Sequence, residues 1–386
     1  MIPLSLYIHI PWCIRKCPYC DFNSHKSPDI LPEIAYVDAL LADFDQDVIR
    51  YGAERPLHSI FIGGGTPSLF SADAYDRLFS QLKQRIPFAK DLEITLEANP
   101  GTVEHGRFSD YFALGINRLS LGIQSFNTQH LQTLGRIHDA KQAHQAIEQA
   151  QQAGFTNFNL DLMHGLPGQT VQEALDDLQQ AFGHHPTHLS WYQLTIEPNT
   201  IFHKTQPQLP DEDIMADIEE AGIALLESQQ FERYEISAFC RNKQTAQHNL
   251  NYWLFGDYYG IGAGAHGKLT LQAPEQIYRT QKYRQPKDYL HTDKPFLVDS
   301  HALDAEALIF EFMLNVTRLE QDIPYQLFVD RTGLNLDQLY PLLEKAQQRN
   351  LVTLQSSSWR ITPLGRRFTN DLQTLFLPKK SSQKAN

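Results

Sequence analysis

The sequence predicts an α/β fold: a partial (β/α)6 barrel followed by a smaller helical, winged-helix-like domain. Three observations carry this expectation. Strand-like apolar segments alternate with amphipathic helical ones six times within the first 240 residues. Cysteine, glycine, acid and amide residues recur just after those strand-like segments, where α/β folds of this kind gather their chemistry. Beyond about residue 290 the pattern changes to three helices and a short hairpin.

The strand-like segments are 4–10, 58–62, 92–96, 118–123, 158–163 and 188–194. The helical segments between and after them are 32–51, 72–86, 103–114, 140–153, 171–182 and 211–229. Repeated strand–helix units imply parallel strands joined by helical crossovers, because parallel neighbours need a long return path. Each strand is a short apolar run, as suits a sheet covered on both faces. A helix at 302–318 follows, then helices at 325–332 and 336–349 and a hairpin from 351–354 and 359–361. We divide the chain into a barrel (1–240), a segment packed on it (241–290), a helical domain (291–378) and a polar, disordered tail (379–386). The helical domain carries no dense basic stripe, so it reads as a packing or partner-docking module rather than a DNA reader.

Composition narrows the function. With 42% hydrophobic residues the chain can bury a substantial core. Its 33 basic and 45 acidic residues leave a net charge of −12, which argues against broad nucleic-acid binding. No apolar run is long enough for a transmembrane helix, and the start lacks a basic secretory leader. There are 4 cysteines, too few and too unevenly placed for a disulfide framework, so the expected compartment is the reducing cytoplasm. Cys240 stands alone and reads as a small buried residue.

Cys13, Cys17 and Cys20 follow the first strand in a CxxxCxxC loop. Thiolates at this density suit zinc or an iron–sulfur cluster. A structural zinc site needs a fourth ligand, for which His9 and His25 are nearest in sequence. The aromatic surroundings, Tyr7, Trp12 and Tyr19, favour a shielded redox centre. Gly262-x-Gly264-x-x-Gly267 matches a dinucleotide fingerprint in form only, since the extended Lys268-Leu269-Thr270-Leu271 follows where a helix should open.

CxxxCxxC after a first strand, with an aromatic before the last cysteine, resembles the radical S-adenosylmethionine (SAM) superfamily. Within it, Tyr7-Ile8-His9-Ile10-Pro11-Trp12-Cys13, Gly63-Gly64-Gly65-Thr66-Pro67, Leu121-Gly122-Ile123-Gln124-Ser125-Phe126 and Asp161-Leu162-Met163-His164-Gly165-Leu166-Pro167 resemble the coproporphyrinogen dehydrogenase-like group. The resemblance implies a [4Fe–4S] cluster on Cys13, Cys17 and Cys20, with its open iron chelated by SAM, whose reductive cleavage gives a 5′-deoxyadenosyl radical. It further implies that Tyr7 and Tyr19 line the SAM pocket and that Gly64, Gly65 and Thr66 admit the methionyl group. Glu97, Gln124, Arg136 and Asp161 would hold the polar ends of SAM, with Thr195 and His266 as weaker contacts.

Two features separate the branches of that group. Its oxidases carry a further cysteine where this chain has Phe22, and they have an N-terminal extension, whereas here the cysteine loop begins at residue 13. His248-Asn249-Leu250-Asn251-Tyr252-Trp253 is an HNxxYW motif, which resembles the heme-chaperone branch and implies heme binding through His248, Tyr252 and Trp253. Imidazole is a common heme ligand, and both aromatics offer flat apolar surfaces. A capping histidine with two core aromatics is the alternative left by the residues alone. The motif is expected near the barrel mouth. The expectation is a radical SAM protein that binds heme and passes it to an acceptor protein. The alternative is an oxygen-independent coproporphyrinogen III oxidase, which Phe22 and the short N-terminal segment disfavour. A homodimer is compatible with this reading, as is a monomer.

Overall fold

The computed structural model describes residues 2–101, 107–272, 275–291 and 295–378; the tail expected to be disordered lies outside them. Six strands form where the periodicity puts them: β1 (Leu4–Ile10), β2 (Leu57–Gly64), β3 (Phe88–Ala98), β4 (Arg118–Gln124), β5 (Phe158–His164) and β6 (His188–Gln193). All six pair in parallel and in chain order. Two short strands, β7 (Glu232–Glu235) and β8 (Ala238–Cys240), close the β6 edge in antiparallel fashion. The other edge departs from expectation. There β9 (Asp257–Ile261) pairs parallel to β1 as a seventh barrel strand. The antiparallel strands β10 (His266–Gln272), β11 (Glu275–Lys282) and β12 (Leu297–Ala302) extend the sheet beyond it.

The residues after 240 are therefore part of the sheet rather than a segment packed on it, and the helical domain starts after Ala302. Apart from the extended stretch 268–271, periodicity missed this edge, because its strands mix polar with apolar residues and polar alternation looks like loop.

Helices cover the outer face: α1 (Glu33–Tyr51), α2 (Ala72–Leu82), α3 (Arg107–Ala113), α4 (Thr128–Thr133), α5 (Ala140–Gln152) and α6 (Val171–Phe182). The 103–114 helix is described only from Arg107 onward. Reciprocal capping boxes start α5 (Asp139 with Gln142) and α6 (Thr170 with Glu173). After β6 come α7 (Ile201–Thr205) and α8 (Glu212–Ser228), where Gly222 lets the helix touch the Trp191 ring. Cys240 is buried, as expected, in β8.

The helix α9 (Gln247–Trp253) precedes β9 and so lies at the amino end of the strands. Its amino end is held by Glu93 of β3, whose carboxylate accepts from the backbone N–H groups of Gln247 and His248, each at 3.2 Å. Leu250, Trp253 and Leu254 pack into the second core, which is built by the C-terminal domain.

The short helix α10 (Pro286–Tyr289) lies between β11 and β12, and the C-terminal domain then contains α11 (Ala305–Val316), α12 (Tyr325–Thr332) and α13 (Tyr340–Gln348). A three-stranded wing runs in the order Ile323–Pro324, Ser358–Ile361, Val352–Leu354. The expected 336–349 helix is broken into a 3-10 turn (Leu336–Gln338) and α13, because Pro341 cannot donate a helical hydrogen bond and starts a new helix instead.

On the outer face of the sheet extension, Lys282 is fully buried with its ammonium 2.5 Å from Asp43 and 2.7 Å from Asp47 of α1. Tyr289 also donates to Asp43 at 2.6 Å. Breaking such a pair by removing one partner costs about 3–5 kcal/mol, so Lys282→Met should lower the urea midpoint markedly. The loss should shrink as pH falls, because buried carboxyls with raised pKa bind protons more readily in the folded than in the unfolded chain. Equilibrium unfolding at two pH values checks both statements.

Candidate functional site

Backbone contacts knit the cysteine loop to the sheet. The Gly65 N–H donates to the Ile10 carbonyl at 2.7 Å and the Thr66 N–H to the Trp12 carbonyl at 2.8 Å. Gly65 has no room for a side chain, since a Cβ there would sit 2.5 Å from the Trp12 carbonyl oxygen. Gly64 has φ +118°, and a Cβ would meet the His9 ring at 2.6 Å. The turn therefore lies flat beside the loop, and Cys13, Cys17 and Cys20 face a cavity of about 270 Å³ at the carboxyl ends of the strands.

The cavity walls come from successive strand ends. Glu97 ends β3 and accepts from the Gly64 N–H at 3.1 Å. Asp161 of β5 accepts from Ser120 at 3.0 Å and from Asn159 at 2.8 Å. Gln124 sits at a bulge with φ 68° and accepts from the Tyr192 hydroxyl at 2.7 Å. Arg136 spans the wall, donating to Asn99 at 2.5 Å, to the Gly122 carbonyl at 2.8 Å and to the Cys17 sulfur at 3.5 Å. Among the described residues its buried Nε has no hydrogen-bond partner.

Removal from water, and then the nearby Asp161 charge, pushes the Glu97 carboxyl up to about 8. Burial also raises Asp161, against the hydrogen bonds from Ser120 and Asn159. Burial works against the Arg136 charge, but Tyr19 and Cys17 outweigh it and raise its pKa. Burial raises the Cys13 and Cys20 thiols, and neighbouring thiols add to the rise. An occupant that brings positive charge to the thiols and carboxyls would relieve these costs.

The donor set fits an iron–sulfur cluster better than zinc. His9 is occupied on both ring nitrogens, by the Tyr7 hydroxyl at 2.9 Å and the Asn23 carbonyl at 2.8 Å. His25 leans on Asn23 at 3.2 Å. Neither is offered as a fourth ligand. Among the described residues no set of three or more His, Cys, Asp or Glu closes on a single ion. The three thiols instead ring one wall of a larger space.

Eleven of the expected positions line this cavity: the three cysteines, Tyr19, Gly64, Gly65, Thr66, Glu97, Gln124, Arg136 and Asp161. Tyr7 lies beneath, close enough to Glu97 for their charges to interact. Thr195 and His266 do not line it and are exposed. Asn99, Ser120 and Tyr192 line it without having been singled out. Inward alternation along the sixth strand would have found Tyr192, which shares a face with His188 and Ser190.

The HNxxYW residues are not at the mouth. His248 is fully buried at the opposite end of the barrel, with Nδ1 2.9 Å from the Ser59 hydroxyl and Nε2 2.7 Å from the Tyr252 hydroxyl. Residues just before a parallel strand lie at its amino end, away from the mouth. The Arg318 guanidinium stacks 4.3 Å from the Trp253 ring, facing the C-terminal domain.

The chain is 50% identical to the Haemophilus influenzae protein named heme chaperone HemW, covering 98% of this chain and 99% of that one. It belongs to the HemW family. The Escherichia coli HemW is 49% identical over 97% of this chain and 98% of its own, and the Bacillus subtilis HemW 32% identical over 97% and 99%. Residues 7–181 match the radical SAM superfamily, and residues 303–368 match the HemN C-terminal domain. The solved structure of coproporphyrinogen III oxidase (HemN) from Escherichia coli superposes with a TM-score of 0.81 at 24% identity, covering 97% of this chain and 90% of that one, which establishes the shared fold. This chain thus carries a radical SAM barrel and a HemN-type C-terminal domain together.

Two outcomes follow from this geometry. Gly65→Ala should sharply lower iron content after anaerobic reconstitution while leaving the far-ultraviolet circular dichroism unchanged, because its Cβ collides with backbone; retained iron would refute the close-approach argument. Glu97 is largely protonated below about 8, so affinity for SAM should rise as pH approaches that value. Glu97→Gln should flatten the profile in equilibrium binding.

Proposed function

We infer that this chain is a heme chaperone of the radical SAM type, which binds heme and hands it to an acceptor protein in the reducing cytoplasm. The observation that carries this is near-full-length identity of 50% with a protein named for that activity, together with an intact cysteine-lined cavity. Among the described residues no helix is long and apolar enough to cross a membrane.

In this reading Cys13, Cys17 and Cys20 hold a [4Fe–4S] cluster, which when bound supplies one-electron reduction of the SAM sulfonium. The chain's own residues do the holding. Arg136 faces the SAM carboxylate, while Glu97 and Asp161 face its ammonium and ribose hydroxyls. Gly64 and Gly65 keep the wall flat for the methionyl chain. Phe22, 65% exposed, puts an apolar ring at the mouth where the oxidases carry a thiol.

The test is an anaerobic heme titration of cluster-replete protein, followed by transfer to an apo-hemoprotein monitored by absorbance. Heme uptake and release to the acceptor are expected. In parallel, incubation with coproporphyrinogen III, SAM and a reductant should yield no protoporphyrinogen. Multiple-turnover formation of protoporphyrinogen would establish the oxidase instead.

A further inference from the structure

We propose that the barrel interior, beneath the cysteine-lined cavity, binds a small inorganic anion of the size of chloride on Arg118 of β4 and Thr95 of β3. The site does not depend on the heme-chaperone reading above.

Strand alternation places both side chains inside the barrel. Glu97 and Ser120 line the cavity and are paired across β3 and β4. Thr95 and Arg118 form the pair two residues earlier, so they point inward one layer deeper. Both are buried, Arg118 to 2% exposure. Among the described residues the Arg118 guanidinium makes no hydrogen bond or ion pair, and its Nε and the Thr95 hydroxyl are both buried without a partner. An isolated buried charge is costly until something pairs it.

The groups around Arg118 do not supply that pairing. His188 and His248 are held below the ordinary imidazole range by burial and then by the Arg118 charge, so neither brings a compensating ion. Both are fully engaged: the His188 ring nitrogens lie 2.7 Å from Asn159 and 2.8 Å from the Tyr234 hydroxyl, and those of His248 meet Ser59 and Tyr252. Glu93, two residues before Thr95 on β3, is spent on the backbone N–H groups of Gln247 and His248. Asp161 is spent on Ser120 and Asn159. Burial raises the Asp161 carboxyl, and the Arg118 charge opposes this only as the last of several influences.

The unpaired groups define the ligand. Guanidinium N–H groups and a hydroxyl that can donate surround a fixed positive charge, which selects an anion. A water molecule could accept from Nε but would leave the charge uncompensated. Enclosure within the sheet selects an ion small enough to sit between layers of side chains. Seated there, the anion lies between Asp161, which faces the cavity, and His248 on the barrel floor, and sets the potential felt at both ends.

The experiment is thermal unfolding of the full-length chain at fixed ionic strength, with chloride replacing gluconate. A ligand that binds only the folded state raises the midpoint with concentration, so the wild-type midpoint should climb and saturate. Thr95→Val keeps the side-chain shape and should need about tenfold more chloride for the same rise. Arg118→Gln should lose the chloride response while its midpoint in gluconate still reports a folded chain. Crystals soaked in bromide should show an anomalous peak beside the Arg118 Nε. Superposable chloride and gluconate curves in wild type overturn the proposal. So does a wild-type chloride response in Thr95→Val or Arg118→Gln, or bromide found at the molecular surface only.

Discussion

The seam where Ile10 and Trp12 meet Gly65 and Thr66 governs the site. Two backbone hydrogen bonds cross it at 2.7 and 2.8 Å. Because both partners are main chain, the cysteine loop is positioned by the sheet and not by its own side chains. Sheet strands are rigid, and a loop laced to their ends inherits that rigidity. The strand-borne residues that face the thiols, from Glu97 on β3 to Tyr192 on β6, are then placed by the same parallel register.

Charge is distributed accordingly. The cavity gathers carboxyls, thiols and one spanning guanidinium: removal from water raises the Glu97 and Asp161 carboxyls and the Cys13 and Cys20 thiols, while Tyr19 and Cys17 raise Arg136 against its burial. The barrel tolerates this because hydrogen bonds from Ser120, Asn159 and backbone satisfy most of the polar atoms. On the other face of the sheet, Lys282 with Asp43 and Asp47 meets the same demand by direct pairing.

Much of this was legible in the sequence because strand ends in parallel sheets follow a simple rule: the residues after a short apolar run converge. That rule found the cysteines, Gly64, Gly65, Glu97, Gln124 and Asp161. It missed Tyr192 and Ser120, which contribute through inward alternation along their strands rather than through a motif. It misplaced His248, because a motif shows which residues belong together and not which end of a barrel they occupy. Of β9 to β12 it found only the extended stretch 268–271 in β10, because the alternation around it brings in polar residues such as His266, Arg279 and Gln281 in place of the apolar runs that signal buried strands.

The position of α9 has a consequence for how the molecule comes apart. One side of this seven-residue helix, through His248 and Asn251, fills the floor of the barrel, while Leu250, Trp253 and Leu254 on the other side belong to the C-terminal core. A helix this short has no stability of its own, so it persists only while both cores hold it. Melting either core releases the helix and loosens the other, so the two halves are expected to unfold as a single cooperative unit despite their separate hydrophobic interiors. The HNxxYW stretch is then the rivet of that unit, and the demands on its sequence come from both sides at once.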